Sequence, residues 1–176
     1  MKDRTREALF NLLGGDLTDF LTLDLFAGTG VLGVEALSRG SAAVVAVELN
    51  RGLAAQLRTA VKELGLAGRH EVLCIDVFRA QPLLLGSLRQ HPPLPWCLIC
   101  CPPYKLWDSH ASQLRDCLAG LIAEAPEGSM FVVELPEPCD PAWLPAGLSW
   151  QLRTYRPAQL ALADKLAAAA DDSATG

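Results

Sequence analysis

Between residues 21 and 135 five short apolar runs, LTLDL, AAVVAV, EVLCI, WCLIC and MFVVEL, recur with a helix-length segment between one and the next. Apart from LTLDL, they lack the regular apolar–polar alternation of a strand with one wet face. A strand that is apolar on both sides must be buried on both sides, which is the condition of a parallel sheet covered by helices. The intervening segments fit. VLGVEALSRG reads as a helix closed by Gly40, and residues 50–65 place Leu53, Leu57, Val61 and Leu64 on one helical face. Residues 78–90 and 109–125 read as two more helices. Ahead of the first strand, RTREALFNLL carries Ala8, Leu9, Leu12 and Leu13 at helical spacing before Gly14-Gly15 stops it. After the Pro-rich connection PEPCDPAWLPAG, LSWQLRTYR and AQLALAD read as a sixth and a seventh strand. The expected architecture is a doubly wound α/β fold, a mostly parallel seven-stranded sheet with helices on both faces. One domain is expected over residues 1–164, with residues 165–176 as a flexible tail.

Bulk properties narrow the partners. A net charge of −5 argues against the broad basic footprint of a duplex-DNA binder, leaving only local candidates for RNA contact at Lys2, Arg4, Arg6, Arg153 and Arg156. No apolar run approaches the roughly 18–20 residues of a membrane span, and MKDRTREALF lacks the apolar core of a signal peptide, so a cytoplasmic location is expected. Six cysteines, three of them at positions 97, 100 and 101, do not form a disulfide framework. A zinc knuckle at Cys97 and Cys100 fails on geometry, because strand residues three apart point to opposite faces.

Ligands of doubly wound sheets bind beyond the carboxyl ends of the strands. Four such ends carry chemistry here. LDLFAGTGVLG sets Asp24 before a loop in which Gly28 and Gly30 turn the backbone tightly, and Gly28-x-Gly30-x-x-Gly33 matches a dinucleotide fingerprint. Glu48, about 20 residues on, is placed to accept both hydroxyls of a ribose, in NAD or in S-adenosylmethionine alike. Asp76, read as the end of strand three, is placed to accept the exocyclic amine of an adenine.

The fourth end, CLICCPPY, separates the two cofactors. Pro102 and Pro103 have no amide protons and hold a stiff segment outside the sheet. The Pro102 carbonyl then stands as an acceptor, and Tyr104 offers a flat face on which a base stacks. An acceptor at position 101, a carbonyl and a ring together grip an amino group on a planar base. Hydride transfer has no evident use for that arrangement. An NAD-dependent oxidoreductase would rest only on Gly28, Gly30, Gly33 and Glu48.

Taken together, RTREALFNLL, LDLFAGTGVLGVEALSRG, VVAVELN and the Pro-Pro-Tyr segment resemble the RsmD-type methyltransferases over roughly residues 4–135. That resemblance implies a Rossmann-like, S-adenosylmethionine-dependent fold that methylates the N2 amine of a guanine in small-subunit ribosomal RNA. The implied partner is ribosomal RNA or a small-subunit assembly intermediate. By position, Asp24, Phe26, Ala27, Gly28, Thr29 and Gly30 correspond to the part that holds the methionine end of the cofactor. Glu48 and Leu49 correspond to the ribose site, Asp76 and Val77 to the adenine site, and Cys101, Pro102, Pro103 and Tyr104 to the catalytic motif. The sequence departs from the family in two places. Only KDRTR precedes the EALFN helix, where the family usually carries an Arg-Pro-Thr segment and a basic hairpin. And Cys101 replaces the aspartate of Asp-Pro-Pro-Tyr. A thiol is a weak acceptor, so losing a charge-assisted bond there is expected to cost on the order of 2–4 kcal/mol, some 30- to 1000-fold in rate. The weakened site leaves a second reading: a cofactor- or ribosome-binding protein that keeps the fold without the chemistry.

Overall fold

The computed structural model describes residues 3–166; Lys2 and the expected tail beyond 166 lie outside the described residues. Helix α1 (Asp3–Leu12) leads into alternating strands and helices: β1 (Leu21–Asp24), α2 (Val31–Ser38), β2 (Ala43–Val47), α3 (Arg51–Glu63), β3 (His70–Leu73), α4 (Gln81–Leu88), β4 (Trp96–Cys100), α5 (Lys105–Glu124) and β5 (Met130–Pro136). A hairpin of β6 (Gln151–Tyr155) and β7 (Ala158–Asp164) closes the chain. The seven-stranded sheet has the order β3-β2-β1-β4-β5-β7-β6. Strands β1 to β5 pair in parallel, whereas β7 runs antiparallel to both β5 and β6.

Strands β1, β2, β4 and β5 are buried on both faces, whereas edge strand β3 leaves Glu71 exposed. One face of the sheet presents Leu23, Val45, Leu98, Cys100 and Val133 to α4 and α5, packing against Leu84, Leu114, Leu118 and Leu121. The other presents Val44, Ala46, Cys97, Ile99 and Val132 to α1, α2 and α3, packing against Phe10, Leu32 and Leu57. Cys97 and Cys100 therefore point to opposite sides of the sheet, the divergence that tells against a shared metal. Strand order switches between β1 and β4, which open on opposite neighbours, and a crevice forms at such a point.

Two boundaries differ from the sequence expectation. Strand β3 stops at Leu73, and Asp76 instead caps a 3-10 turn (Val77–Arg79), its carboxylate accepting from the Phe78 amide at 3.1 Å. Aspartate competes with sheet pairing in just this way, by offering the backbone a local acceptor. Helix α5 begins at Lys105, directly after the prolines, rather than at Ser109. Tyr104 already has helical torsions, and the helix passes through a kink at His110 (φ −138°, ψ 24°). Trp107, Leu114, Leu118 and Leu121 mark its buried stripe. The polar stretch Asp108-Ser109-His110 hides the first turn from a periodicity reading.

Candidate active site

At the carboxyl ends of these strands lies a cleft of about 1370 Å³. Its first wall is built from backbone. Gly28 and Gly30 adopt positive φ (55° and 80°), and a Cβ at Gly30 would run into the buried side chain of Leu57. The loop is tied to the tip of β2 by Glu48, whose two carboxylate oxygens accept from the Gly28 amide at 2.8 Å and the Asn50 amide at 2.6 Å. Each oxygen keeps capacity for a further donor. Gly33, the third glycine of the fingerprint, serves packing: a Cβ there would lie 2.5 Å from the His70 ring and 3.0 Å from Val44.

Asp24 is fully buried at the end of β1. One oxygen meets the Phe26 amide at a long 3.4 Å, and the other has no partner. Burial pushes its pKa up to about 7, against the pull of the Phe26 bond, with the negative charge of Glu48 adding to the rise. A buried carboxyl with an unpartnered oxygen is costly to ionise, which is the physical source of the rise.

The second wall is built from side chains. Pro102 is buried and Pro103 exposed, and the first bonds of α5 run from the Leu106 and Trp107 amides to the Pro103 and Tyr104 carbonyls, 2.9 Å each. The Pro102 carbonyl thus stands ahead of the helix. Tyr104 is 36% exposed, and its hydroxyl donates to Glu134 Oε1 at 3.1 Å. Burial, then the adjacent Glu134, pushes the phenol up to about 12. The Cys101 thiol is pushed well above its ordinary value by burial first and by Glu134 next. It remains a neutral thiol, which excludes it as a nucleophile at ordinary pH.

Of the residues expected from sequence, Phe26, Gly28, Glu48, Leu49, Asp76, Val77 and all of Cys101, Pro102, Pro103 and Tyr104 line this one cleft. Ala27, Thr29 and Gly30 shape the loop without lining the cleft, and Asp24 is shut away from it. Asp76 reaches the cleft from its capping position rather than from a strand end. Leu49 is 67% exposed at the rim.

Two features of the cleft escape the sequence reading. Phe78 and His110 stack at 5.7 Å and 15° near Asp76, joining the 3-10 turn to the kink of α5. Glu134 lies in β5 two residues before its end, 7% exposed, with its carbonyl accepting from the Trp107 indole at 3.1 Å. Its signal was available: an acid following the apolar run MFVV resembles the pattern by which Glu48 follows AAVVAV. Of the local basic candidates, Arg153 is exposed on edge strand β6, and Arg156 beside it pairs with Glu137 at 3.3 Å. The side chain of Arg4 lies outside the described residues.

Comparison with known proteins bears on this geometry. Residues 1–124 match the family model described as Conserved hypothetical protein 95, the RsmD family. The chain belongs to that family. Within it, the ribosomal RNA small subunit methyltransferase D of Escherichia coli is 49% identical over 55 residues, a stretch covering 31% of this chain and 28% of that relative. The chain therefore aligns with well under half of that relative's length. Among solved structures, a conserved hypothetical protein from Streptococcus pyogenes superposes with a TM-score of 0.73 and 25% identity, covering 91% of this chain and 94% of that one. An RNA methyltransferase from Salinibacter ruber in complex with S-adenosyl-L-homocysteine superposes with a TM-score of 0.65 at 15% identity, covering 98% and 97% of the two chains, a likeness of fold. The Rossmann-like α/β fold expected from sequence is borne out.

Proposed function

We propose that residues 1–164 act as one S-adenosylmethionine-dependent methyltransferase domain whose substrate is the N2 amine of a guanine in small-subunit ribosomal RNA, free or in an assembly intermediate. One observation carries the reading: the glycine loop with Glu48 and the Pro-Pro-Tyr segment with Cys101 line a single cleft. Family membership and the names of the matched relatives support it. The donor set fits the cofactor, since both carboxylate oxygens of Glu48, which lines the cleft, keep acceptor capacity for a ribose.

When bound, S-adenosylmethionine supplies an already reactive methyl group, so the chain's work is mainly positioning. Gly28 and Gly30 let the backbone approach closely, and Glu48 fixes that loop while it accepts hydroxyls. Asp76 and Val77 border the adenine end, next to the Phe78–His110 stack. Across the cleft, the Pro102 carbonyl accepts from the substrate amine, and Tyr104 stacks on the base with its ring held by the Glu134 bond.

Radiolabelled methyl transfer to under-methylated small-subunit particles, followed by nucleoside digestion, tests the proposal. The expected result is label in N2-methylguanosine. Binding of S-adenosylhomocysteine without any transfer would favour the second reading, a cofactor- or ribosome-binding protein, for which the neutral thiol at Cys101 is the specific support.

A further inference from the structure

We propose that Glu134, rather than the residue at position 101, is the anionic acceptor for the substrate amine, an inference that rests on the methyl-transfer reading above. Sheet register puts it there. Cys100 pairs with Val133 across β4 and β5, so the next step in the parallel ladder sets Cys101 beside Glu134. Ile99 and Val132 belong to one face of the sheet, and Cys100 and Val133 to the other. By alternation, Cys101 and Glu134 share the face of Ile99 and Val132. Both line the cleft.

Glu134 is also held in place. The Tyr104 hydroxyl donates to Oε1 at 3.1 Å, and the Trp107 indole donates to its backbone carbonyl at 3.1 Å. The first turn of α5 thereby fixes this carboxylate in the same act that fixes the stacking ring. A carboxylate has about four lone-pair sites, and the phenol uses one of them. The rest suit the two adjacent donors of a guanine edge, the amine and the neighbouring ring N–H.

The thiol at position 101 then has a reason. Asp24 lies on this same face, since Thr22 and Asp24 alternate with the Leu21, Leu23 and Leu25 of the opposite cluster. An aspartate at position 101 would stand next to Glu134, on the sheet face that also carries buried Asp24. Like charges so placed force one group to keep a proton. A thiol at position 101 sets no such second carboxyl beside Glu134. In the transfer step the amine nitrogen forms its bond to the methyl carbon and the C–S electron pair stays on sulfur. The N–H proton then passes to the Glu134 carboxylate and on to water.

Wild type, E134Q, C101D and the double variant, compared in the radiolabel assay and in calorimetry with S-adenosylhomocysteine, test the assignment. E134Q is expected to lower kcat by about 30-fold or more while homocysteine-analogue affinity stays within about twofold. C101D alone is expected to give no gain. C101D in the E134Q background is expected to recover about tenfold, because a carboxylate again borders the amine. Transfer by E134Q near the wild-type rate, loss of cofactor binding together with transfer, absence of recovery in the double variant, or a gain from C101D alone would each overturn the role of Glu134. Failure of the wild type itself to transfer would sink the methyl-transfer reading instead, and the Glu134 role with it.

Discussion

The two walls of the cleft are made by different means. The wall formed by β1 and β2 is a backbone device, a loop with positive φ at Gly28 and Gly30, tied to Glu48 by the Gly28 amide while the Asn50 amide holds the other carboxylate oxygen. The wall formed by β4 and β5 is a side-chain device: the thiol and phenol of the segment after β4 and a carboxylate of β5, joined by one bond between Tyr104 and Glu134. A backbone device tolerates few residues and so leaves a dense, contiguous signature. A side-chain device can exchange members, provided that the sum of charge and shape is kept. Cys101 in place of an acid is such an exchange.

The largest effect is expected on the backbone side, at Asp24. Its folded pKa near 7 lies above the unfolded value of 3.8. Between those values the unfolded chain binds fewer protons, so stability falls as pH rises, by about 4 kcal/mol in all. Denaturant unfolding of the ligand-free protein between pH 4 and pH 8 should show this loss, and Asp24→Asn should flatten it. Next comes Gly30→Ala, which combines a left-handed torsion with the collision against buried Leu57. A loss of about 3 kcal/mol in stability is expected, read by the same unfolding curves.

Glu48→Gln should weaken S-adenosylhomocysteine binding by about 10- to 100-fold, as removal of a charged hydrogen-bond acceptor does. Calorimetry would check it, and an unchanged affinity would detach this wall from the cofactor. On the side-chain wall, Tyr104→Phe removes only the phenol bond to Glu134. The expected loss is about 1 kcal/mol, roughly fivefold in transfer rate, with cofactor affinity untouched. A larger loss from Tyr104→Phe than from Glu48→Gln would reverse the contrast between the walls.

This contrast also explains what could be read from the chain. Strands β2, β4 and β5 were legible because burial on both faces leaves nearly continuous apolar runs, and β1 and β3 because they recur between helix-length segments. The loop from Asp24 to Gly30 was legible because its torsions demand glycine, and Glu48 because an acid ending an apolar run is conspicuous. Glu134 carries the same mark, yet its meaning depends on β5 lying next to β4, which strand order decides and local sequence does not. The Phe78–His110 stack depends on two boundaries that local chemistry moved, the cap at Asp76 and the early start of α5. In both cases the missing information was which strands and turns become neighbours.

The most direct test of a single adenosyl-binding cleft between these walls is calorimetric titration of the wild-type protein with S-adenosylhomocysteine and, separately, with NAD. Saturable binding of one S-adenosylhomocysteine per chain, with no heat from NAD, is the expected result. Binding of NAD, or of neither molecule, would contradict the account.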